Sequence, residues 1–168
     1  AFVGRAVGPT EAEEPAAHDM AMDEHGAQHG GGHDAVPAGL TNSQGGYTLR
    51  LAADRAAAGR SVPLSFTVTG PDGHAVTDYD VQHEKRLHLI VVRRDASGFQ
   101  HVHPRLATDG TWSVAVDLTP GPWRVLADFK PTAGEALTLG SDLLVPGDFE
   151  PAASRADGRT AMVDGYTV

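Results

Sequence analysis

From residue 46 onward, apolar and polar residues alternate in short runs separated by turn-forming residues. In residues 62–69, for example, every second side chain is apolar, which is typical of a β-strand with one buried face. The glycine- and proline-rich residues 70–73 that follow are typical of a turn. We find no convincing 3.6-residue period, so no helix is predicted. The pattern predicts strands at residues 47–51, 62–69, 87–94, 99–103, 111–118, 123–129 and 137–145.

Short strands joined by regular turns predict an all-β fold, specifically an antiparallel β-sandwich of the immunoglobulin- or cupredoxin-like type. The run 87–94 is almost continuously apolar, so both of its faces are expected to be covered.

Three segments are expected along the chain. Residues 1–45 have neither strand nor helix periodicity and are expected to form a disordered leader. Residues 46–149 are the predicted sandwich domain, and residues 150–168 a linker. Because Gly165-Tyr166-Thr167-Val168 resembles Gly46-Tyr47-Thr48-Leu49, the linker is expected to lead into a second domain.

Composition narrows the class of protein. The 168 residues carry a net charge of -9 with histidine neutral, which argues against nucleic acid as a partner because phosphate binding needs a basic surface. There is no cysteine, so disulfides and thiolate ligands are excluded. Residues 1–9 are typical of the remnant of a signal peptide or membrane anchor. We therefore expect an extracytoplasmic protein, secreted or held by an N-terminal membrane tether.

The nine histidines are the main candidate chemistry, and they fall into two groups. Imidazole and thioether without thiolate favour copper, with zinc or nickel as alternatives. One group lies in the leader, where soft methionine sulfur favours Cu(I), and where the alternative is a plain polar tether. The leader candidates are His18, Met20, Met22, His25, His29 and His33.

The second group of five lies within residues 74–103, and three of its members lie on the predicted hairpin of strands 87–94 and 99–103. If the loop contains an even number of residues, two or four, then His88, His101 and His103 share one face of the sheet. In the four-residue register His103 faces Ile90, one pair along from His88, and such diagonal positions are within about 7–8 Å. A three-residue loop would reverse the parity and separate His88 from the other two.

Further residues are weaker candidates. His83 is a candidate fourth metal ligand, with a plain loop residue as the alternative. His74, in the turn after strand 62–69, is expected to be surface decoration. Asp128 is a ligand, a partner that orients a histidine, or an outward-facing polar residue, and the last is favoured.

A family resemblance is carried by residues 79–95, 99–104 and 121–125. Its most specific part is the pattern of His83 and His88 followed by His101-Val102-His103-Pro104. Over about residues 46–150 the chain resembles exported actinobacterial-type proteins described as secreted or heavy-metal-binding-domain proteins. It is similar in outline to the YtkA-like and FixH-like modules linked to copper handling. The resemblance implies an immunoglobulin- or cupredoxin-like sandwich and an envelope location, and it supplies no catalytic roles.

Three functions remain open on the sequence alone. The favoured one is an extracytoplasmic, non-enzymatic copper protein for trafficking, storage or resistance, with another copper-handling envelope protein as its partner. The second is an extracytoplasmic interaction module whose histidines are incidental. The third is a mononuclear zinc or copper enzyme with Glu84 or Asp128 as its base, but blue-copper electron transfer needs a cysteine ligand, which is absent.

Overall fold

A computed structural model describes residues 36–153, 162–163 and 166–167. Within these residues the chain contains strands and loops and no helix, and therefore no helix long and apolar enough to cross a membrane. The strands are β1 (Ser43–Gln44), β2 (Tyr47–Leu51), β3 (Gly59–Thr69), β4 (Leu87–Arg93), β5 (Gln100–Val102), β6 (Arg105–Leu106), β7 (Thr111–Leu118), β8 (Gly121–Phe129), β9 (Leu137–Val145), β10 (Met162–Val163) and β11 (Tyr166–Thr167).

Two antiparallel sheets pack as a sandwich, which confirms the predicted fold class. One sheet has five strands in the order β1-β2-β3-β7-β6, and the other has four in the order β5-β4-β8-β9. Strands β10 and β11 form a separate antiparallel pair, so residues 166–167 of the suspected repeat are extended, like residues 47–51.

The core lies between the sheets because every second residue of each long strand points inward. Within the described residues no polar or charged side chain is fully buried. The two indole N–H groups have acceptors, since Trp112 donates to the Tyr79 hydroxyl at 3.2 Å and Trp123 donates to the Thr119 carbonyl at 2.8 Å. The largest fully buried side chains are Trp123, Phe66, Phe129, Leu49, Leu87, Leu89, Leu118, Leu139, Leu143, Val68, Val91 and Val116.

Strand β4 differs from the expectation that both of its faces are covered. Leu87, Leu89 and Val91 are fully buried, whereas the alternate residues from His88 to Val92 are only half-buried. The near-continuous apolar run therefore has one core face and one face that water reaches. His88 lies on this outer face.

The sandwich begins earlier in the chain than residue 46. Strand β1 pairs with β2, and residues 39–41 lie along β9. There Gly39 N–H donates to the Thr138 carbonyl, and Gly140 N–H donates to the Thr41 carbonyl, both at 2.8 Å. The sequence gives little sign of this segment because it shows no alternation. It covers an edge of the four-stranded sheet that would otherwise expose unpaired backbone groups.

The β4–β5 hairpin has the predicted parity but not the predicted register. Ile90 pairs with His101 and Val91 with Gln100, so the four-residue register, which placed His103 opposite Ile90, is wrong. Continuing the observed register places His103 opposite His88. The histidines are thus closer together than the sequence argument required.

The loop itself explains this outcome. At its tip the Arg93 N–H donates to the Ser97 carbonyl at 3.0 Å, which encloses only three residues. One residue then separates Arg93 from Val91 on β4, whereas two residues separate Ser97 from Gln100 on the other side. This one-residue bulge restores the parity that a three-residue loop reverses. It contains Gly98, whose φ is 65° and where an added Cβ would lie 2.6 Å from the Trp123 ring.

Candidate metal centre

Three histidine side chains meet on the outer face of the four-stranded sheet. His88 is the second residue of β4, His101 is the middle residue of β5, and His103 follows the end of β5. His88 is half-buried and the other two are exposed. The period of two along each strand directs all three outward, because their sequence neighbours Leu87, Leu89 and Val102 pack towards the core.

The ring nitrogens converge closely. Nδ1 of His88 lies 3.1 Å from Nε2 of His101 and 3.2 Å from Nε2 of His103. One ligand atom from each residue lies within 4.8 Å of the other two. With M–N bonds of about 2.0–2.1 Å, nitrogens on a tetrahedral ion are about 3.3 Å apart. The two shortest separations are close to that value.

A hydrogen bond to the backbone fixes the orientation of the His88 ring. Its Nε2 lies 3.1 Å from the carbonyl oxygen of Gln82. A carbonyl only accepts hydrogen bonds, so Nε2 carries the hydrogen and Nδ1 presents its lone pair to the other two rings. A metal-ligating histidine characteristically donates its other N–H to a carbonyl or carboxylate in this way.

The Gln82 carbonyl is held by a tight turn. Gln82 and Lys85 exchange backbone hydrogen bonds of 2.8 and 3.1 Å, and His83 and Glu84 between them have φ values of 49° and 70°. Two positive φ values in a two-residue loop define a type I′ turn, which favours Asn-Gly. Side chains at both positions cost backbone strain of order 1 kcal/mol or more each.

The cluster does not satisfy itself through hydrogen bonds. The single lone pair of His88 Nδ1 is approached by two Nε2 atoms, and it can accept one good hydrogen bond. An ion placed between the three nitrogens would use all three lone pairs at once. The arrangement therefore suits a cation better than it suits a hydrogen-bonded cluster.

The charge environment also favours neutral imidazole at His103. Desolvation lowers the pKa of His103, and the nearby His88, His101 and Lys85 side chains lower it further. A metal competes with protons for the same nitrogen, so a lowered pKa leaves the lone pair free at more acidic pH.

The other sequence candidates lie outside the converging set. His83 is exposed, and its ring centroid is 6.2 Å from that of His88, compared with 5.2 and 4.9 Å for His101 and His103. Asp128 pairs with His88 across β4 and β8 and accepts a hydrogen bond from Thr138 at 3.1 Å. His74 is exposed in its turn. The leader candidates, from His18 to His33, lie outside the described residues.

Comparison with known proteins adds a family. The family described as Domain of unknown function (DUF8832) matches residues 41–146, which is more than half of the chain and includes the whole histidine cluster. The chain belongs to this family. No curated protein and no solved structure matches this chain.

Two residues that position the site were not singled out from the sequence. Gln82 acts through its backbone carbonyl, so its side-chain chemistry carries no signal. Gly98 acts through its backbone conformation, and an isolated glycine within a strand pattern is typical of a bulge.

Proposed function

We propose that this protein is an extracytoplasmic metal-binding sandwich that holds copper at His88, His101 and His103. Its role is trafficking, storage or resistance rather than catalysis. The observation that carries the proposal is the approach of two Nε2 atoms to His88 Nδ1 at 3.1 and 3.2 Å, with the opposite nitrogen of His88 bound to a backbone carbonyl.

Copper is preferred because the chain offers imidazole and thioether and no thiolate. Three imidazole nitrogens also suit zinc, which is the alternative ion. The envelope location and a partner among copper-handling proteins rest on the sequence resemblance and on residues 1–9. His83 as a fourth ligand stays a prediction.

The leader extends the proposal. Two thioethers, Met20 and Met22, beside His18 and His25 favour Cu(I), whereas the folded site with its nitrogen ligands accepts Cu(II) or zinc. A chain with both preferences suits capture and hand-over. Comparing the Cu(I) affinity of the full chain with that of Met20→Ala/Met22→Ala tests this part separately, and equal affinities would reduce the leader to a tether.

The folded site is tested by metal stoichiometry. The full chain should bind one Cu(II) or Zn(II) tightly in isothermal titration, in addition to weaker leader binding. The double variant His101→Ala/His103→Ala should lose that event and keep its strand-rich circular dichroism spectrum. The matched control is His74→Ala, which removes an exposed turn histidine and should bind like the parent. Tight binding that survives the double substitution would exclude the site and favour an interaction module.

A further inference from the structure

A groove borders the histidine cluster on the side of β6. It has a volume of about 550 Å³ and is lined by His103 and Arg105 together with the serines Ser61, Ser65 and Ser113. His103 and Arg105 are two residues apart, so a metal ligand and a permanent cation line the same groove.

The polar groups in the groove form a row. Arg105 pairs with Ser113 across β6 and β7, and Ser113 pairs with Ser65 across β7 and β3. The residues beside Ser65 and Ser113 in sequence, such as Leu64 and Trp112, point into the core, so this row faces outward. The guanidinium has only donors and the serine hydroxyls beside it can also donate, which suits an anion.

In the described part of the chain a carboxylate lies at the Ser61 end of this groove, where Asp117 accepts a hydrogen bond from the Ser61 N–H at 2.8 Å, but no carboxylate pairs with the arginine. Arg105 is exposed and forms none of the four ion pairs found there. A divalent ion on three neutral imidazoles adds two more charges, and the converging ligand set contains no carboxylate. Asp128 supplies a single negative charge on the neighbouring strand.

We propose that the metal in this site takes a small oxyanion or carboxylate from solution as an additional ligand, and that Arg105 holds it. One oxygen of the anion coordinates the ion, and another accepts hydrogen bonds from the guanidinium, with Ser113 beside it. This inference rests on the proposed function, because three protein nitrogens leave a coordination position open. Arg105 is a binding residue for the anion and not a ligand of the metal.

The test compares a charged and a neutral ligand on the Cu(II)-loaded full chain, followed by electron paramagnetic resonance and visible absorption. Acetate supplies a second oxygen for Arg105, whereas imidazole fills a coordination position without charge. In Arg105→Gln, acetate affinity should fall about tenfold or more, since a charge-assisted pair is lost. Imidazole affinity and bound copper should change by less than about twofold. Arg50→Gln, an exposed arginine of β2, is the matched control and should bind acetate like the parent.

The outcomes separate the two proposals. If copper binds and acetate affinity is the same in Arg105→Gln and the parent, the anion site is excluded and the metal site stands. If neither acetate nor imidazole alters the copper spectrum, the open position does not exist and the anion site is again excluded. If the parent binds no copper at the folded site, the proposed function fails and the anion site fails with it.

Discussion

At the two ends of the β4–β5 hairpin the polar side chains find different kinds of partner. At the arginine end, Arg93 donates to Asp95 at 3.1 Å, to Ser97 at 2.9 Å and to Thr119 at 3.2 Å, and it forms an ion pair with Asp95. At the histidine end, three rings of the same kind face one another around the lone pair of His88 Nδ1.

The difference lies in complementarity. At the arginine end donors meet acceptors and the charges are opposite, so the group is complete without any addition. It includes the backbone N–H of Ala152, which donates to Asp95 at 2.8 Å, and therefore fastens the segment after β9 to the hairpin. The histidine end directs nitrogen lone pairs to a common point, and its converging set contains no carboxylate. A ligand from outside the chain could complete such a set, and we therefore place the proposed metal site there.

The largest expected effect is stabilisation by metal. Cu(II) or Zn(II) at about a thousandfold excess over its dissociation constant should raise the free energy of unfolding by about 4 kcal/mol. The increment should disappear in His101→Ala/His103→Ala, because the ligands are lost. Denaturant titration with and without metal measures it. An equal increment in the double variant would place the stabilising ion elsewhere.

The next effect is the response to acid, which should be confined to the histidine end between about pH 7 and pH 5. Imidazole has an ordinary pKa of about 6.5, and each ligand must be neutral to bind, so metal affinity should fall about a hundredfold or more over this interval. The lowered pKa of His103 adds a smaller effect on the metal-free fold. Because the folded state favours neutral His103, that stability is present above about pH 6.5 and is lost as the pH falls below it.

The arginine end should not respond in that interval. The backbone N–H of Ala152, the Ser97 hydroxyl and Arg93 hold the pKa of Asp95 far below its ordinary value of 3.8. The contribution of ionised Asp95 to folding stability is therefore present above pH 3.8 and is lost only as the pH falls through the much lower folded-state pKa. Metal affinity that stays flat from pH 7 to pH 5 would point to thioether or carboxylate ligands instead.

A smaller effect is expected from Arg93→Ala. The substitution removes the donors to Asp95, Ser97 and Thr119 and leaves a partly buried carboxylate without its cation, which should cost roughly 2 kcal/mol of unfolding free energy. The number of metal ions bound at saturation should stay the same, because the histidines lie at the other end. Thermal unfolding of the metal-free protein gives the first quantity and titration gives the second. Loss of metal binding in the folded variant would show that the two ends are coupled.

Much of this fold follows from alternation alone, and much of the site does not. The long strands were predictable because their apolar residues recur every second position. Strand β6 was not predicted, because its two residues are too few to show a period. The first residues of β3 were not predicted either, because Gly59 to Ser61 carry no apolar alternation before the irregular register there. The meeting of His88 with His101 and His103 was predicted from parity. The register was not, because it depends on backbone angles at Ala96 and Gly98.

The smallest effect concerns the strained turn behind His88. Glu84→Gly should stabilise the metal-free protein by up to about 1 kcal/mol, because glycine adopts the positive φ of this position without strain. Since the Gln82 carbonyl keeps its place, metal affinity should stay within about threefold. A destabilised protein would mean that the Glu84 side chain makes contacts that outweigh the strain.

Adding His83→Asn to Glu84→Gly builds the preferred type I′ sequence and removes the His83 imidazole. If the three converging histidines are sufficient to bind the metal, the metal affinity again changes little. A hundredfold loss in the double variant, with Glu84→Gly unaffected, would establish His83 as the fourth ligand.

The extra residue at Gly98 makes this site sensitive to insertions and deletions rather than to substitutions. Deleting one residue between Arg93 and Gln100 would leave every histidine in the sequence but turn the side chains of β5 over, so that His101 and His103 face the core and Val102 faces water. A change of loop length by one residue would therefore abolish the proposed metal binding, although an alignment of the family would still show every histidine. Among members of this family, the number of residues between His88 and His101 should be as informative about metal binding as the histidines themselves.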